Sequence, residues 1–157
     1  PLTLALAEGA HTITIQIGDN DGNTSTLLSS SFNVDTVPPA LNITNPTNGH
    51  ITNNSTLTVS GTTNDTTSSP VTITIKLNGA DQGAVTVSAG AFSKAITLAN
   101  GENTIEVKAT DSAGLTSTVT RTVILDTTPP VITDVTMVPN PVDGGATFVI
   151  SVMVTDE

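Results

Sequence analysis

Apolar and polar side chains alternate along much of the middle of the chain with a period of two residues. Residues 71–77 read Val-Thr-Ile-Thr-Ile-Lys-Leu, and residues 104–109 alternate in the same way. This period is typical of β-strands that bury one face, and no stretch has a sustained helical period. The pattern predicts seven strands, near residues 41–45, 56–61, 71–77, 84–88, 92–98, 103–110 and 116–125. Seven short strands predict an all-β sandwich.

The connection after the third predicted strand contains Asn78-Gly79. This pair readily adopts the positive backbone angles of a tight hairpin. Residues 81–83 indicate a somewhat longer connection before the next strand.

A proline-rich segment occurs twice and suggests tandem repeats. Asp35–Pro39 and Asp126–Pro130 both read Asp-Thr-X-Pro-Pro, at a spacing of 91 residues. This spacing is close to the size of one immunoglobulin-like sandwich. Residues 6–15 also resemble residues 98–107. The repeats predict three units: 1–35 is the C-terminal part of an Ig-like repeat, 36–126 is a complete Ig-like β-sandwich, and 127–157 is the N-terminal part of a further repeat.

Two consecutive prolines are expected to stiffen the chain at each junction. They remove two backbone donors, so strand pairing ends there, and the chain continues as a short, extended bridge. We expect neighbouring repeats to be held in line by this bridge. Asp35 and Asp126, at the start of each segment, could cap the strand end by accepting hydrogen bonds from nearby backbone N–H groups.

The charge balance argues against binding to nucleic acids. The 157-residue chain carries 14 acidic and 4 basic residues, for a formal net charge of −10. Nucleic-acid binding is therefore not expected, because it requires clustered Lys and Arg. The chain has no apolar run long enough to span a membrane. It has no cysteine, so neither a disulfide nor a thiolate metal site can stabilise it.

The acidic loops provide a second interpretation of the junctions, as interdomain calcium sites. In an immunoglobulin-like topology, the linker, two loops of the following domain and one loop of the preceding domain meet at the same end. The expected ligands are Glu8, Asp35, Asp65 and Asp111 at the first junction, and Glu102, Asp126, Asp156 and Glu157 at the second. Calcium takes six to eight oxygen ligands, and clustered carboxylates repel one another unless a cation compensates. Simple capping and the general acidity of the loops remain the alternative.

The segment Asp19–Asn23 superficially resembles the start of an EF-hand loop. It lacks the bidentate glutamate at the twelfth loop position and the flanking helices. The corresponding stretch Asp111–Gly114 has lost the second carboxylate. A hairpin turn is therefore the favoured prediction for both segments.

Catalytic signatures are missing from the sequence, so no enzyme activity is predicted. His11 and His50 have no partners at metal-ligand spacing, and no nucleophile motif is found. Sugar-binding modules usually present aromatic platforms, yet the chain has no Trp or Tyr. Its three phenylalanines, Phe32, Phe92 and Phe148, fall on apolar strand positions and are predicted to lie in cores.

Several short motifs together resemble a known family. They are the two Asp-Thr-X-Pro-Pro segments, Val-Ser-Gly-Thr at 59–62, Leu-Asn-Gly at 77–79, Ala-Phe-Ser at 91–93, Leu-Ala-Asn-Gly-Glu-Asn at 98–103 and Ala-Thr-Asp-Ser-Ala-Gly at 109–114. This set is similar to the tandem bacterial Ig-like repeats, of the Big type, of large secreted and surface proteins. The resemblance implies a Greek-key sandwich and an extracellular or cell-surface location. The segment 137–141 departs from the pattern of the preceding repeat.

Two functions agree with this resemblance. The favoured one is a non-catalytic structural extender repeat in an adhesin-like surface protein, with neighbouring Ig-like repeats of the same chain as partners. The alternative is an accessory module of a secreted carbohydrate-active or proteolytic enzyme. Because the two end segments hold incomplete repeats, their apolar faces are expected to be disordered or to pair head to tail between molecules.

Overall fold

The computed structural model describes residues 3–138, 144–145 and 147–156 of the chain. All regular elements in these ranges are β-strands, as the alternating pattern predicts. The strands are β1 (Gly9–Ile15), β2 (Leu28–Val34), β3 (Ala40–Asn45), β4 (His50–Thr52), β5 (Thr56–Asn64), β6 (Thr72–Leu77), β7 (Ala80–Asp81), β8 (Val87–Ser88), β9 (Ala91–Thr97), β10 (Gly101–Thr110), β11 (Thr116–Leu125), β12 (Val131–Val138) and β13 (Val149–Thr155).

The strands from β3 to β11 form a two-sheet sandwich. One sheet has the order β3-β5-β9-β8, and the other has the order β4-β11-β10-β6-β7. Neighbouring strands are antiparallel except β4, which pairs in parallel with β11. The all-β sandwich predicted from the sequence is therefore confirmed.

The core lies between these two sheets and follows from the alternation along each strand. In β6, for example, Ile73, Ile75 and Leu77 are buried, while the residues between them are exposed. Fully burying one such side chain contributes about 1.5–3 kcal/mol. The buried apolar residues are Ile43, Leu57, Val59, Ile73, Ile75, Leu77, Phe92, Ile96, Leu98, Ile105, Val107, Ala109, Val123 and Leu125.

All seven predicted strands have a counterpart, but some of the detail was wrong. The strand predicted at 84–88 is paired only at residues 87–88, and the short strands β4 and β7 were not predicted. The connection after β6 is also shorter than expected, because Leu77 pairs with Ala80 across Asn78-Gly79. Strands of two or three residues form at sheet edges through pairing with a neighbour, and their sequences are too short to show a period.

Two further hairpins flank the sandwich and repeat its strand registers. In β1–β2, Gly9 lies opposite Val34, and in β10–β11 Gly101 lies opposite Leu125. These pairs are related by shifts of 92 and 91 residues. Similarly, β12–β13 pairs Val131 with Thr155, as β3–β5 pairs Ala40 with Asn64 at a shift of 91. The internal repetition therefore extends from the sequence to the hydrogen-bonded pairing.

The flanking hairpins expose apolar side chains that their counterparts in the sandwich bury. Every described residue of β12 and β13 is exposed. The prediction that all three phenylalanines lie in cores is consequently correct only for Phe92. Phe32 is half-buried and stacks on His11, and Phe148 is 49% exposed. Within the described ranges, no second sheet covers the β12–β13 hairpin.

Candidate metal centre at the first junction

Both Asp-Thr-X-Pro-Pro segments begin with an aspartate that caps the backbone. Asp35 Oδ1 accepts a hydrogen bond from Val37 N–H at 3.0 Å, and Asp126 Oδ1 accepts one from Thr128 N–H at 2.9 Å. These bonds satisfy an amide at the point where strand pairing ends. The capping interpretation of the two aspartates is therefore confirmed at both junctions.

A second contact joins each Asp-Thr-X-Pro-Pro linker to the loop before the hairpin that it follows. This hairpin is β1–β2 at the first junction and β10–β11 at the second. Glu8 Oε2 accepts hydrogen bonds from the Thr36 N–H at 2.7 Å and from the Thr36 hydroxyl at 2.8 Å. At the second junction, the Thr127 hydroxyl donates to Asn100 Oδ1 at 3.2 Å. The two junctions share one arrangement, although the acceptor is a carboxylate in the first and an amide in the second.

Three aspartates from different parts of the chain converge at the first junction. Asp35 follows β2, Asp65 lies in the loop between β5 and β6, and Asp111 lies in the turn between β10 and β11. One carboxylate oxygen from each lies within 4.8 Å of the other two. The structure thus brings together three of the four residues predicted for this junction, and Glu8 lies beside them on the linker side.

Backbone N–H groups hold one oxygen of each carboxylate in place. Asp65 Oδ1 accepts from Thr67 N–H at 2.8 Å and from Ser68 N–H at 2.7 Å. Asp111 Oδ1 accepts from Leu115 N–H at 2.8 Å. The loop and the turn are also joined, since Ser112 N–H donates to the Ser68 carbonyl at 3.1 Å. The three side chains are therefore oriented by the backbone.

The remaining oxygens of two of these carboxylates are buried without a partner. Asp111 is only 6% exposed. Among the described residues, Asp111 Oδ2 and Asp35 Oδ2 have no partner with hydrogen-bond geometry, although the Ser68 hydroxyl lies near Asp35. A basic side chain does not compensate them, because the one salt bridge in the described part of the chain joins Lys76 to Glu106 elsewhere. Buried, unpartnered carboxylate oxygens are costly unless a ligand satisfies them.

The surroundings of Asp35 favour the charged form of its carboxyl group. The Ser68 hydroxyl beside it lowers the pKa of the Asp35 carboxyl, and burial opposes this effect. The Val37 N–H and, to a smaller extent, the Glu8 carboxyl act in the lowering direction as well. The pKa of the Asp35 carboxyl is therefore held below its ordinary value.

The second junction does not hold an equivalent group in the described residues. Glu102, Asp126 and Asp156 do not form a cluster that could share an ion, and Glu157 lies outside the described residues. By register, Asp156 corresponds to Asp65.

The Asp19–Asn23 segment forms a hairpin turn. Asp19 Oδ1 accepts from Asn23 N–H at 2.8 Å, and Asp19 N–H donates to the Asn23 carbonyl at 2.9 Å. Asp111 and Leu115 make the same two bonds, at 2.8 and 3.1 Å. The prediction of a turn in both repeats is confirmed.

Thr36 and Ser68 are contacts that sequence reasoning missed. Thr36 fixes Glu8, and Ser68 influences Asp35. The sequence could have pointed only to Thr36, because a threonine follows the aspartate in both linker segments. Ser68 is one of many serines in the chain, and its role depends on the fold of its loop.

The clefts near this end are small and open. One of about 260 Å³ is lined by residues that include Asp65, Pro70 and Gly90, and one of about 240 Å³ lies between Glu8 and Thr66. Neither has an aromatic side chain in its lining. Pockets for small-molecule ligands are usually about 300–1,000 Å³ and largely apolar. These clefts therefore do not have the character of a substrate pocket.

Comparison with known proteins identifies both the fold of the sandwich and the family to which the chain belongs. A solved structure of fibronectin(III)-like modules of Clostridium thermocellum CbhA is similar, with a TM-score of 0.50 and 18% sequence identity. The match covers 77% of this chain and 64% of that chain, and it supports an immunoglobulin-like β-sandwich. A family model, glucodextranase domain B, matches residues 39–127. The chain therefore belongs to the glucodextranase domain B family.

The family match refines the resemblance to bacterial Ig-like repeats. Both assignments describe an Ig-like sandwich, and the match supports the coarser class without supporting the Big type. A search of curated proteins found no significant match. Within the ranges that the structure describes, no helix combines the length and the apolar character that a membrane span requires.

Proposed function

We propose that this chain is a non-catalytic spacer module of an extracellular protein, in which Ig-like sandwiches follow one another through stiff joints. The observation that carries this proposal is the repeated junction contact. The Thr36 hydroxyl bonds to Glu8 at the first junction, and the Thr127 hydroxyl bonds to Asn100 at the second. Each contact joins a linker to the loop at the base of the hairpin that the linker follows. A joint that is repeated in this way holds neighbouring modules at a fixed spacing.

The linker itself limits bending at the first junction. Pro39 is fully buried at the start of the sandwich, and Pro38 lines the cleft shared by Glu8 and the Asp65–Thr67 loop. A proline pair has restricted backbone angles. With one end packed against the sandwich and the other bonded to Glu8, the linker has little freedom to act as a hinge.

The surface chemistry supports a role other than sugar binding. The described clefts lack aromatic platforms, and the acidic cluster lies at a junction between modules. Its Asp residues are held by backbone N–H groups, as expected for residues that shape a joint. A spacer needs only stability and defined length.

Two settings for such a spacer are supported by different observations. The family name favours an accessory module of a carbohydrate-active enzyme, since it describes domain B of glucodextranase. The registers of β1–β2 and β12–β13, which repeat those of the sandwich, favour an extender array in an adhesin-like surface protein. Both settings are extracellular, and in both the partners are neighbouring repeats of the same chain.

Affinity electrophoresis tests whether the chain is a spacer or a sugar-binding module. We expect unchanged mobility of the purified chain in gels containing dextran or soluble starch, compared with gels without polysaccharide. Incubation with the same polysaccharides should release no reducing sugar. Retardation in either gel, or release of sugar, would contradict the spacer role.

A further inference from the structure

We propose that Asp35, Asp65 and Asp111 bind one calcium ion at the first junction. Calcium–oxygen distances are about 2.3–2.6 Å. Oxygens on opposite sides of one ion are therefore about 5 Å apart. The three carboxylate oxygens lie within 4.8 Å of one another, so their spacing is compatible with ligation of one ion.

The state of Asp111 is the independent observation that points to a ligand. Its side chain is more than nine-tenths buried. One oxygen is held by Leu115 N–H, and the other has no partner among the described residues. Native proteins rarely leave a buried carboxylate oxygen unsatisfied, and a cation shared with Asp35 and Asp65 satisfies it.

The charge of the cluster agrees with this assignment. Three carboxylates converge, and the described part of the chain places no basic side chain in an ion pair with them. Close carboxylates destabilise one another when all are ionised. A divalent cation converts this repulsion into attraction, whereas the backbone hydrogen bonds to one oxygen of each carboxylate only fix the orientation of the side chains.

The donor set selects calcium over the other common metals. The group contains carboxylates and neither histidine nor cysteine, and such hard oxygen ligands suit calcium, magnesium and manganese. Magnesium requires nearly octahedral geometry, whereas calcium accepts irregular shells of six to eight oxygens. Three carboxylates from separate loops are an irregular set, and loop carbonyls or water can complete it.

The ligands come from both sides of the joint. Asp35 belongs to the linker that follows β2, and Asp65 and Asp111 belong to loops of the sandwich. A bound ion therefore restrains the linker relative to the sandwich. Cation binding depends on the three aspartates and on the buried oxygen of Asp111, so it stands or falls independently of the proposed spacer role.

Calorimetric titration of the full chain with calcium chloride tests the site. Extracellular calcium modules have dissociation constants of about 10⁻⁴–10⁻³ M, and we expect one saturable site of this strength or tighter. Magnesium should bind more weakly. Calcium should also raise the melting temperature, since a ligand that binds only the folded state stabilises it.

Asp111→Asn and Asp35→Asn separate the ligand role from the structural role. Asparagine keeps an oxygen for the Leu115 or Val37 N–H and removes one anionic ligand. Each variant should weaken calcium binding at least about tenfold. Asp81→Asn is the matched control, because Asp81 Oδ1 also accepts a backbone N–H, from Gly83, at a distance from the cluster. It should bind like the unmodified chain.

The outcomes are decisive in both directions. Absence of saturable binding up to about 10 mM calcium, well above the expected range, would overturn the proposal. Binding that survives both Asp111→Asn and Asp35→Asn unchanged would place the ion elsewhere and overturn it as well. If one variant fails to fold, the other gives the same test. Circular dichroism without calcium checks the fold of each variant.

Discussion

Glu8 and Thr36 are joined by two hydrogen bonds, in which Glu8 Oε2 accepts from both the backbone N–H and the hydroxyl of Thr36, at 2.7 and 2.8 Å. The residues are 28 positions apart, and Glu8 precedes the β1–β2 hairpin that the linker follows. This contact closes the hairpin at its base and fixes the first residue after Asp35. It is therefore a central element of the first joint.

Removing the acceptor should loosen the linker at Thr36. In Glu8→Ala, we expect amide hydrogen exchange at Thr36 to be about fivefold faster, the equivalent of about 1 kcal/mol for the lost bond. Glu8→Gln keeps an acceptor oxygen and should exchange nearly as slowly as the unmodified chain. Glu102→Ala changes an exposed acid on β10 and serves as the control. Unchanged exchange in Glu8→Ala would show that the contact does not hold the linker.

Gly61 is required by the close approach of β5 to its neighbours. A Cβ at this position would lie 2.6 Å from Phe92 Cζ and would clash with the Asn42 carbonyl oxygen. Since the backbone contact cannot be relieved by a rotamer change, Gly61→Ala should lower the free energy of unfolding by about 1–3 kcal/mol. Urea denaturation measures this loss.

Gly18→Ala is the control for this substitution. A Cβ at Gly18 would meet its nearest atoms at 3.7 Å, an ordinary contact. Its effect should stay within about 0.5 kcal/mol. A Gly61→Ala chain as stable as the Gly18→Ala chain would contradict the close packing of β5 against β9.

Asn103 is a fully buried amide that organises the turn between β9 and β10. Its Oδ1 accepts from Ala99 N–H at 2.9 Å, and its Nδ2 donates to the carbonyls of Ala99 and Gly101 at 2.7 and 2.9 Å. Asn103→Ala leaves these backbone groups unsatisfied in the interior. We expect a loss of about 2–4 kcal/mol in the free energy of unfolding.

Asn54→Ala provides the comparison for Asn103→Ala. The exposed Asn54 accepts one bond, from Thr56 N–H at 2.9 Å, and water can replace it. Its loss should cost no more than about 1 kcal/mol. Equal urea midpoints for the two variants would show that the buried amide is not important for the turn.

The exposed face of β12–β13 should promote association with a second copy of the chain. Val135 and Val152 lie opposite each other and are 59% and 49% exposed. The position that corresponds to Val152 at the shift of 91 residues, Gly61, is buried in the sandwich. We expect the mass measured by light scattering to rise with concentration, and the double variant Val135→Thr with Val152→Thr to reduce this rise.

Ile51→Thr removes an exposed apolar side chain from the sandwich and is the control for association. Ile51 is 63% exposed, but it lies outside both flanking hairpins. It should associate like the unmodified chain. A strictly monomeric chain at all concentrations would contradict head-to-tail pairing through the hairpins.

The sequence determined the fold well wherever a strand was long enough to show its period. Ile73, Ile75 and Leu77 were recognisable as one buried face, and the repeated linker segments located both joints. Phe148 shows the limit of this reasoning. It occupies an apolar position, but it is 49% exposed because no second sheet covers its hairpin within the described residues.

The candidate site was partly predictable because topology brings loops of one end together. Asp35, Asp65 and Asp111 were predicted as a group and lie as a group. Burial of Asp111 and the influence of Ser68 on Asp35 could not be predicted, since both depend on how the loops fold. The second junction was predicted by analogy, and its described residues do not converge.

The distance between the first hairpin and the sandwich tests the central claim, that a stiff joint sets the spacing of modules. The chain has no cysteine, so Asn33→Cys on β2 and Lys108→Cys on β10 allow specific spin labelling. Pulsed electron paramagnetic resonance should give one narrow distance distribution. A broad distribution that persists in saturating calcium would show a flexible hinge and contradict the claim.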